Sequence, residues 1–181
     1  MIKFIILEDE MDKNTFELLA KYNMEVNQQM NDIIKTLSEE EWNEKFSGYF
    51  KSIHELCSHI FIADYRMFKN FKSVCIIDNL SDTYFNKEHT YKETLFDSIN
   101  EYITKRVQLD NILIDFVKKM TPADLNKNMK HITSNGAGLE KKLELFLTTI
   151  FNHETHHRGM ISLYLEMLGK ENDFSRFIDY V

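Results

Sequence analysis

The 181-residue sequence is 43% hydrophobic and 28% charged with five Gly and one Pro, which favours long helices and leaves few turn residues for an all-β fold. Its formal net charge of −7 argues against sequence-independent binding to nucleic acid or an anionic membrane, since both need a basic surface. One domain over residues 1–181 is expected, large enough to bury a core without disulfides.

The opening Met1–Leu7 run is apolar but meets Glu8, Asp9 and Glu10 at once, too soon for a signal sequence. Residues 1–8 are read as an extended arm that packs on the domain or on a partner subunit. No segment has the apolar length of a membrane span. Cys57 and Cys75 occur in a chain that needs no staple, which predicts reduced structural thiols and a cytoplasmic setting.

In chain order, Phe16, Leu19, Tyr22, Val26, Met30, Ile33 and Leu37 recur at three- and four-residue steps and predict a first helix from Asp12 to Leu37. Ser38 with Glu41 has the spacing of a capping box and opens a short connector that buries Trp42 and Phe46. A second such box, Ser52 with Glu55, opens a long helix to Phe71 along Leu56, Ile60, Ala63 and Met67. Residues 72–89 form a long, weakly patterned crossover. Thr90 with Glu93 opens the next helix, carried by Leu95, Ile99, Tyr102, Leu109, Leu113 and Phe116 to Met120, where Thr121-Pro122 stops it. Asn135-Gly136-Ala137-Gly138 is a turn, after which helical spacing resumes from Leu139 to Leu168 and Gly169 caps the end. Four long amphipathic helices predict an all-α four-helix bundle.

The last helix carries an anomaly. Its inward stripe reads Leu143, Phe146, Ile150, His153, His157, Ile161, Tyr164 and Leu168, so two histidines occupy core positions. At four-residue separation their Cβ atoms lie about 5–6 Å apart on one face, and both rings can converge on one ion. Unpaired buried imidazoles are costly, and a divalent metal is the simplest shared partner. A third ligand should come from another helix, and His59, bordering the Leu56/Ile60 stripe beside small Ala63, is the candidate. Three His ligands leave a coordination position for water or substrate. His54 and His156 are read as partly exposed or supporting groups, and His89 and His131 as residues of connections. Glu154 and Arg158 flank the ligands, where they orient rings, meet an anionic substrate, or simply face solvent.

The segment Ile150-Phe151-Asn152-His153-Glu154-Thr155-His156-His157-Arg158-Gly159, continued by Leu163–Gly169, resembles the last-helix signature of the DinB/YfiT-like superfamily. Ile53–Tyr65 is similar to the segment in which that family supplies its first metal-binding histidine, which selects His59 over His54. The resemblance runs from about residue 14 to residue 180. It implies an up-down-down-up bundle with a long crossover between the second and third helices, and a site of His59, His153 and His157 for one divalent ion, zinc or nickel. It further implies a homodimer and a small-molecule substrate. Enzymes of that superfamily include S-transferases and isomerases that use low-molecular-weight thiols such as bacillithiol, mycothiol or glutathione, so a thiol cosubstrate is expected. One departure is Met160, where the signature commonly has Gln.

Two other functions compete with a thiol S-transferase. His153-Glu154-Thr155-His156-His157 satisfies H-E-x-x-H, the zinc metalloprotease motif with Glu as general base. The third histidine of the extended motif is absent, however, and no strand-rich segment is evident to hold a peptide. The second competitor is a non-catalytic, stress-related protein that binds metal or a ligand without turnover. For the transferase, the open metal position would lower the pKa of a bound thiol; Cys57, two residues from His59, points to a different side of its helix and supplies no nucleophile.

Overall fold

The computed structural model describes residues 12–71, 74, 87–133 and 135–180. The proposed arm over residues 1–8, Cys75 and most of the 72–89 crossover lie outside these residues. Four long helices dominate: α1 (Lys13–Ile34), α3 (Ile53–Phe71), α4 (Ile99–Lys119) and α6 (Leu143–Met167). Two short helices, α2 (Glu39–Asn43) and α5 (Pro122–Leu125), and a hairpin of β1 (Asn128–Ile132) and β2 (Gly138–Lys142) connect them.

Contacts along the helices fix their directions. Cys57 lies beside Tyr102, Asp64 bonds Arg106, and Phe71 stacks on Phe116, so α3 and α4 run parallel. Phe16 stacks on Phe151 and Asn23 accepts from Arg158, so α1 and α6 also run parallel. Lys13 at the start of α1 donates to the Lys118 carbonyl near the end of α4, which sets those two antiparallel. The result is an up-down-down-up bundle, and parallel α3 and α4 explain the long crossover, since the chain must return the length of a helix between them.

Caps account for most of the helix ends. Asp12 accepts from the Thr15 N–H at 2.8 Å to start α1, and Ser38 and Glu41 close both bonds of their capping box. At the end of α6 the Gly169 N–H donates to Glu166 O and the Lys170 N–H to Leu165 O, with Gly169 at φ +72°. This is a Schellman cap, and its left-handed residue suits glycine.

Two boundaries differ most from the sequence expectation, while α1 ends at Ile34, three residues before Leu37. Thr90 and Glu93 do bond each other, but the turn they form does not continue as helix. Ser58 on α3 accepts from the Leu95 N–H at 2.9 Å, while the Leu95 carbonyl accepts from Ser58 and meets His54. That tether holds Leu95 against α3, Phe96 takes φ +72°, and α4 begins only after Ser98, which accepts from the Glu101 N–H. The second difference is Leu139, expected to begin the last helix. It lies in β2 opposite His131, and α6 starts four residues later. In β1 the alternation is clean, with Met129 and His131 buried and Asn128, Lys130 and Ile132 exposed, as a half-buried strand requires.

The bundle interior is divided. Phe16, Phe68, Phe71, Phe116, Leu143 and Phe151 belong to one apolar cluster, and Val26, Met30, Ile34, Trp42, Leu56 and Leu165 to another. At their junction lies a buried polar layer of Asn23, Asn27, Asp64, Arg106, Asp110, Glu154 and Arg158. No described helix is long and apolar enough to cross a membrane.

Candidate metal centre

α3 and α6 pack together antiparallel, and their contact brings His59 between His153 and His157. Each ring offers one nitrogen, and the three lie within 4.8 Å of one another. The Nε2 atoms of His59 and His153 are 3.1 Å apart. Two nitrogens each 2.0–2.1 Å from one tetrahedral ion would be separated by about 3.3 Å, so this spacing fits a shared ion. Ring centroids are 4.7 Å apart for His59 and His157 and 4.4 Å for His153 and His157.

The rings are also in the right protonation state. Burial, reinforced by the neighbouring His153, holds His59 down at about 4. Burial again comes first for His157, held at about 3 with help from the three surrounding histidines, and it lowers His153 as well. All three are therefore neutral at pH 7, the form that ligates a metal. The Nδ1 atoms of His59 and His157 are buried with no partner among the described residues, which leave these polar groups unsatisfied.

An aromatic lid covers one side. Phe50 lies 4.5 Å from His59 and presents an edge 5.5 Å from His157, centroid to centroid. Tyr164 holds it in place by donating to the Phe50 carbonyl at 2.7 Å while stacking on Phe46. On the other side His59 and His153 open into a cavity of about 790 Å³ between α3, α6, the 90–92 segment and the hairpin.

Glu154 resolves differently from its neighbours. It is completely buried and faces the polar layer, accepting from Asn27 at 3.0 Å and Arg158 at 3.0 Å, with Arg106 at 3.5 Å. Neither Glu154 nor Arg158 has a solvated face. Arg106 also pairs with Asp64 at 2.6 Å and Asp110 at 2.7 Å, so three carboxyl groups surround two guanidinium groups. Burial, then the charge of Glu154, pushes Asp64 well above the carboxylate range. Burial opposes ionisation of Glu154 too, but Arg106, a hydrogen bond with Asp64 and Arg158 outweigh it and hold Glu154 at about 2. Asp64 therefore keeps its proton, and its protonated carboxyl hydrogen-bonds the ionised Glu154. A carboxylate committed in this way is not the general base of a metalloprotease, despite the H-E-x-x-H spacing.

The remaining histidines take structural places. His54 bonds Asn43 and Leu95 and stacks on Trp42; His89 bonds Glu93; His156 is exposed beside His157. His131, read as a connection residue, is 7% exposed and lines the cavity. Arg66, Tyr91 and Lys92 line it as well, and nothing in the helical periodicity singled them out. Cys57 is fully buried, its thiol pushed up to about 12 by burial.

A model of the DinB family matches residues 11–178. The chain belongs to the DinB family. Protein DinB of Bacillus subtilis (strain 168) is 26% identical over 151 residues, covering 83% of this chain and 84% of that protein. Among solved structures, this DinB-family chain is similar to YfiT from Bacillus subtilis, described as "a probable metal-dependent hydrolase with an unusual four-helix bundle topology". The TM-score is 0.66 at 10% identity, over 90% of this chain and 93% of YfiT. A DinB-like protein of Bacillus subtilis gives a TM-score of 0.60 at 17% identity, over 86% and 94% of the two chains. At these identities the structural likeness speaks for the bundle fold.

Proposed function

We propose that this protein is a metal-dependent enzyme that holds one divalent ion, zinc or nickel, through His59, His153 and His157 and acts on a small electrophilic molecule in the adjoining cavity. The observation that carries this reading is the convergence of three neutral histidines at the end of a cavity of about 790 Å³. The bound ion supplies Lewis acidity and lowers the pKa of a thiol or water held beside it.

The chain's own residues hold, orient and shelter. Phe50 excludes water from one side of the imidazoles, and Met67, Phe146 and Ile150 give the cavity an apolar wall. The polar layer behind α6 keeps His153 and His157 in register, because Glu154 and Arg158 are locked to α1 and α4. Among the described residues no thiol or ionised carboxylate faces the site: Cys57 is buried and protonated, and Glu154 faces the bundle interior. A nucleophile supplied by a second small molecule suits this lining. This favours transfer to a low-molecular-weight thiol, and hydrolysis by water is the second reading, supported by the description of YfiT as a probable metal-dependent hydrolase.

The test is zinc and nickel content of the purified protein beside His59→Ala, His153→Ala and His157→Ala, followed by thiol consumption with model electrophiles and ester hydrolysis without thiol. Each substitution should remove stoichiometric metal and metal-dependent turnover together. Full metal retention in all three variants would refute the site. Metal binding without turnover in either assay would leave a non-catalytic metal protein.

A further inference from the structure

We propose that the cavity selects a small molecule bearing a carboxylate, anchored by Arg66, with its reactive group directed toward His59 and His153. The inference deepens the proposed function and rests on it for the reactive end.

Charge within the cavity runs against the charge of the molecule. The chain carries −7, yet Arg66 and Lys92 line this cavity, and the one carboxyl group lining it among the described residues is Asp64, buried against Arg106 and Glu154. Neither Arg66 nor Lys92 has an ion-pair partner among the described residues. Glu88 lies within electrostatic reach of Arg66, but it is 78% exposed and paired with Lys69. Glu93 is committed to His89 and the Thr90 N–H. His131 is held below its ordinary range by burial and by Arg66, so it adds no charge of its own. An anion entering this space meets positive charge that the described residues leave without an ion pair.

Arg66 is also prepared for a planar anion. One Nη1–H donates to the His89 carbonyl at 2.8 Å, and the guanidinium carbon sits 4.8 Å from the centroid of the Tyr91 ring. The group is thus held in place before any ligand arrives. Its Nε is buried with no hydrogen-bond partner among the described residues, which leave that donor unspent. A guanidinium with free donors pairs best with a carboxylate, whose planar oxygens match its fork, and a positioned one loses less freedom on binding. Met67, Phe146 and Ile150 receive an apolar body between the anchor and the histidines.

The experiment uses the full chain freed of metal, so that a carboxylate cannot report on the ion. Calorimetric titrations compare hexanoate with hexanamide, which has similar shape and no charge. Hexanoate should bind more tightly, and Arg66→Met should weaken it about tenfold or more while leaving hexanamide unchanged. Arg66→Lys should restore part of the loss. Lys92→Met, at an exposed position, should weaken hexanoate about threefold, and rising salt should weaken it further. Equal binding of acid and amide, or an unaltered hexanoate affinity in Arg66→Met, overturns the proposal. Zinc content of the same variants should match the unsubstituted protein, so failure of the anion anchor and failure of the metal site give separate results.

Discussion

His59 and His153 face each other across the α3–α6 contact with their Nε2 atoms 3.1 Å apart. Without a metal, such a cluster resists protonation, and this sets a pH dependence of stability. His59 and His157 are depressed to about 4 and about 3 by burial first and by their histidine neighbours second. Above about pH 6.5 the histidines are neutral in both folded and unfolded chains and contribute nothing. Below it the unfolded chain takes up protons that the folded one refuses, so stability falls with falling pH until the folded values are reached. Asp64 and Asp110, raised by burial, act in the opposite sense over part of this range. The histidine contribution is therefore read as a difference: between about pH 7 and about pH 5 the urea midpoint of the metal-free protein should fall more than that of His59→Gln/His157→Gln. Parallel pH profiles for the two proteins would contradict it.

Glu154→Gln separates a structural carboxylate from a catalytic one. The substitution strips the layer of the charge that faces Arg106 and Arg158, and the expected cost is about 3 kcal/mol, a Tm lower by roughly 10 °C. Because the Gln carbonyl oxygen can still accept from Asn27 and Arg158, which hold α6 in register, zinc content and any metal-dependent turnover per folded molecule should stay near the unsubstituted values. Loss of turnover with unchanged Tm would restore Glu154 as a general base.

Gly48→Ala should loosen the aromatic lid. A Cβ at Gly48 would collide with the Tyr164 hydroxyl, the group that holds the Phe50 carbonyl. Gly48 needs no special backbone conformation, so the effect is one of space. A destabilisation of about 1–3 kcal/mol is expected, with weaker zinc binding as Phe50 shifts from His59 and His157. Differential scanning calorimetry with and without zinc would detect both.

Cys57 should be inert. With its thiol pushed up to about 12 by burial, it should not react with a chromogenic disulfide reagent in a Cys75→Ser background until denaturant is added. Cys57→Ala should leave any metal-dependent turnover intact, whereas a role as nucleophile predicts its abolition.

Much of this molecule was legible residue by residue. Apolar spacing located the four helices because each buries a stripe on its neighbours, and the Ser38/Glu41 box and Gly169 marked real ends because capping is a local contact. His153 and His157 stood out as imidazoles at core positions on one helix face. The resemblance of Ile53–Tyr65 to a family segment then picked His59, and the α3–α6 contact brought it to the pair.

Tertiary structure decided the rest. Thr90 and Glu93 form their local bond, yet the tether of Leu95 to Ser58 and His54 keeps the helix from starting there. Leu139 fits a helical stripe by spacing but pairs opposite His131 in a hairpin. Glu154 and Arg158 lie on a face of α6 that a polar sequence assigns to water, and α1 and α4 bury it by supplying Asn23, Asn27 and Arg106. Spacing along a chain specifies which side chains share a face of one element. Which faces are covered, and by what charge, depends on contacts between residues far apart in sequence, and those contacts made Glu154 a structural group and Arg66 the wall of a cavity.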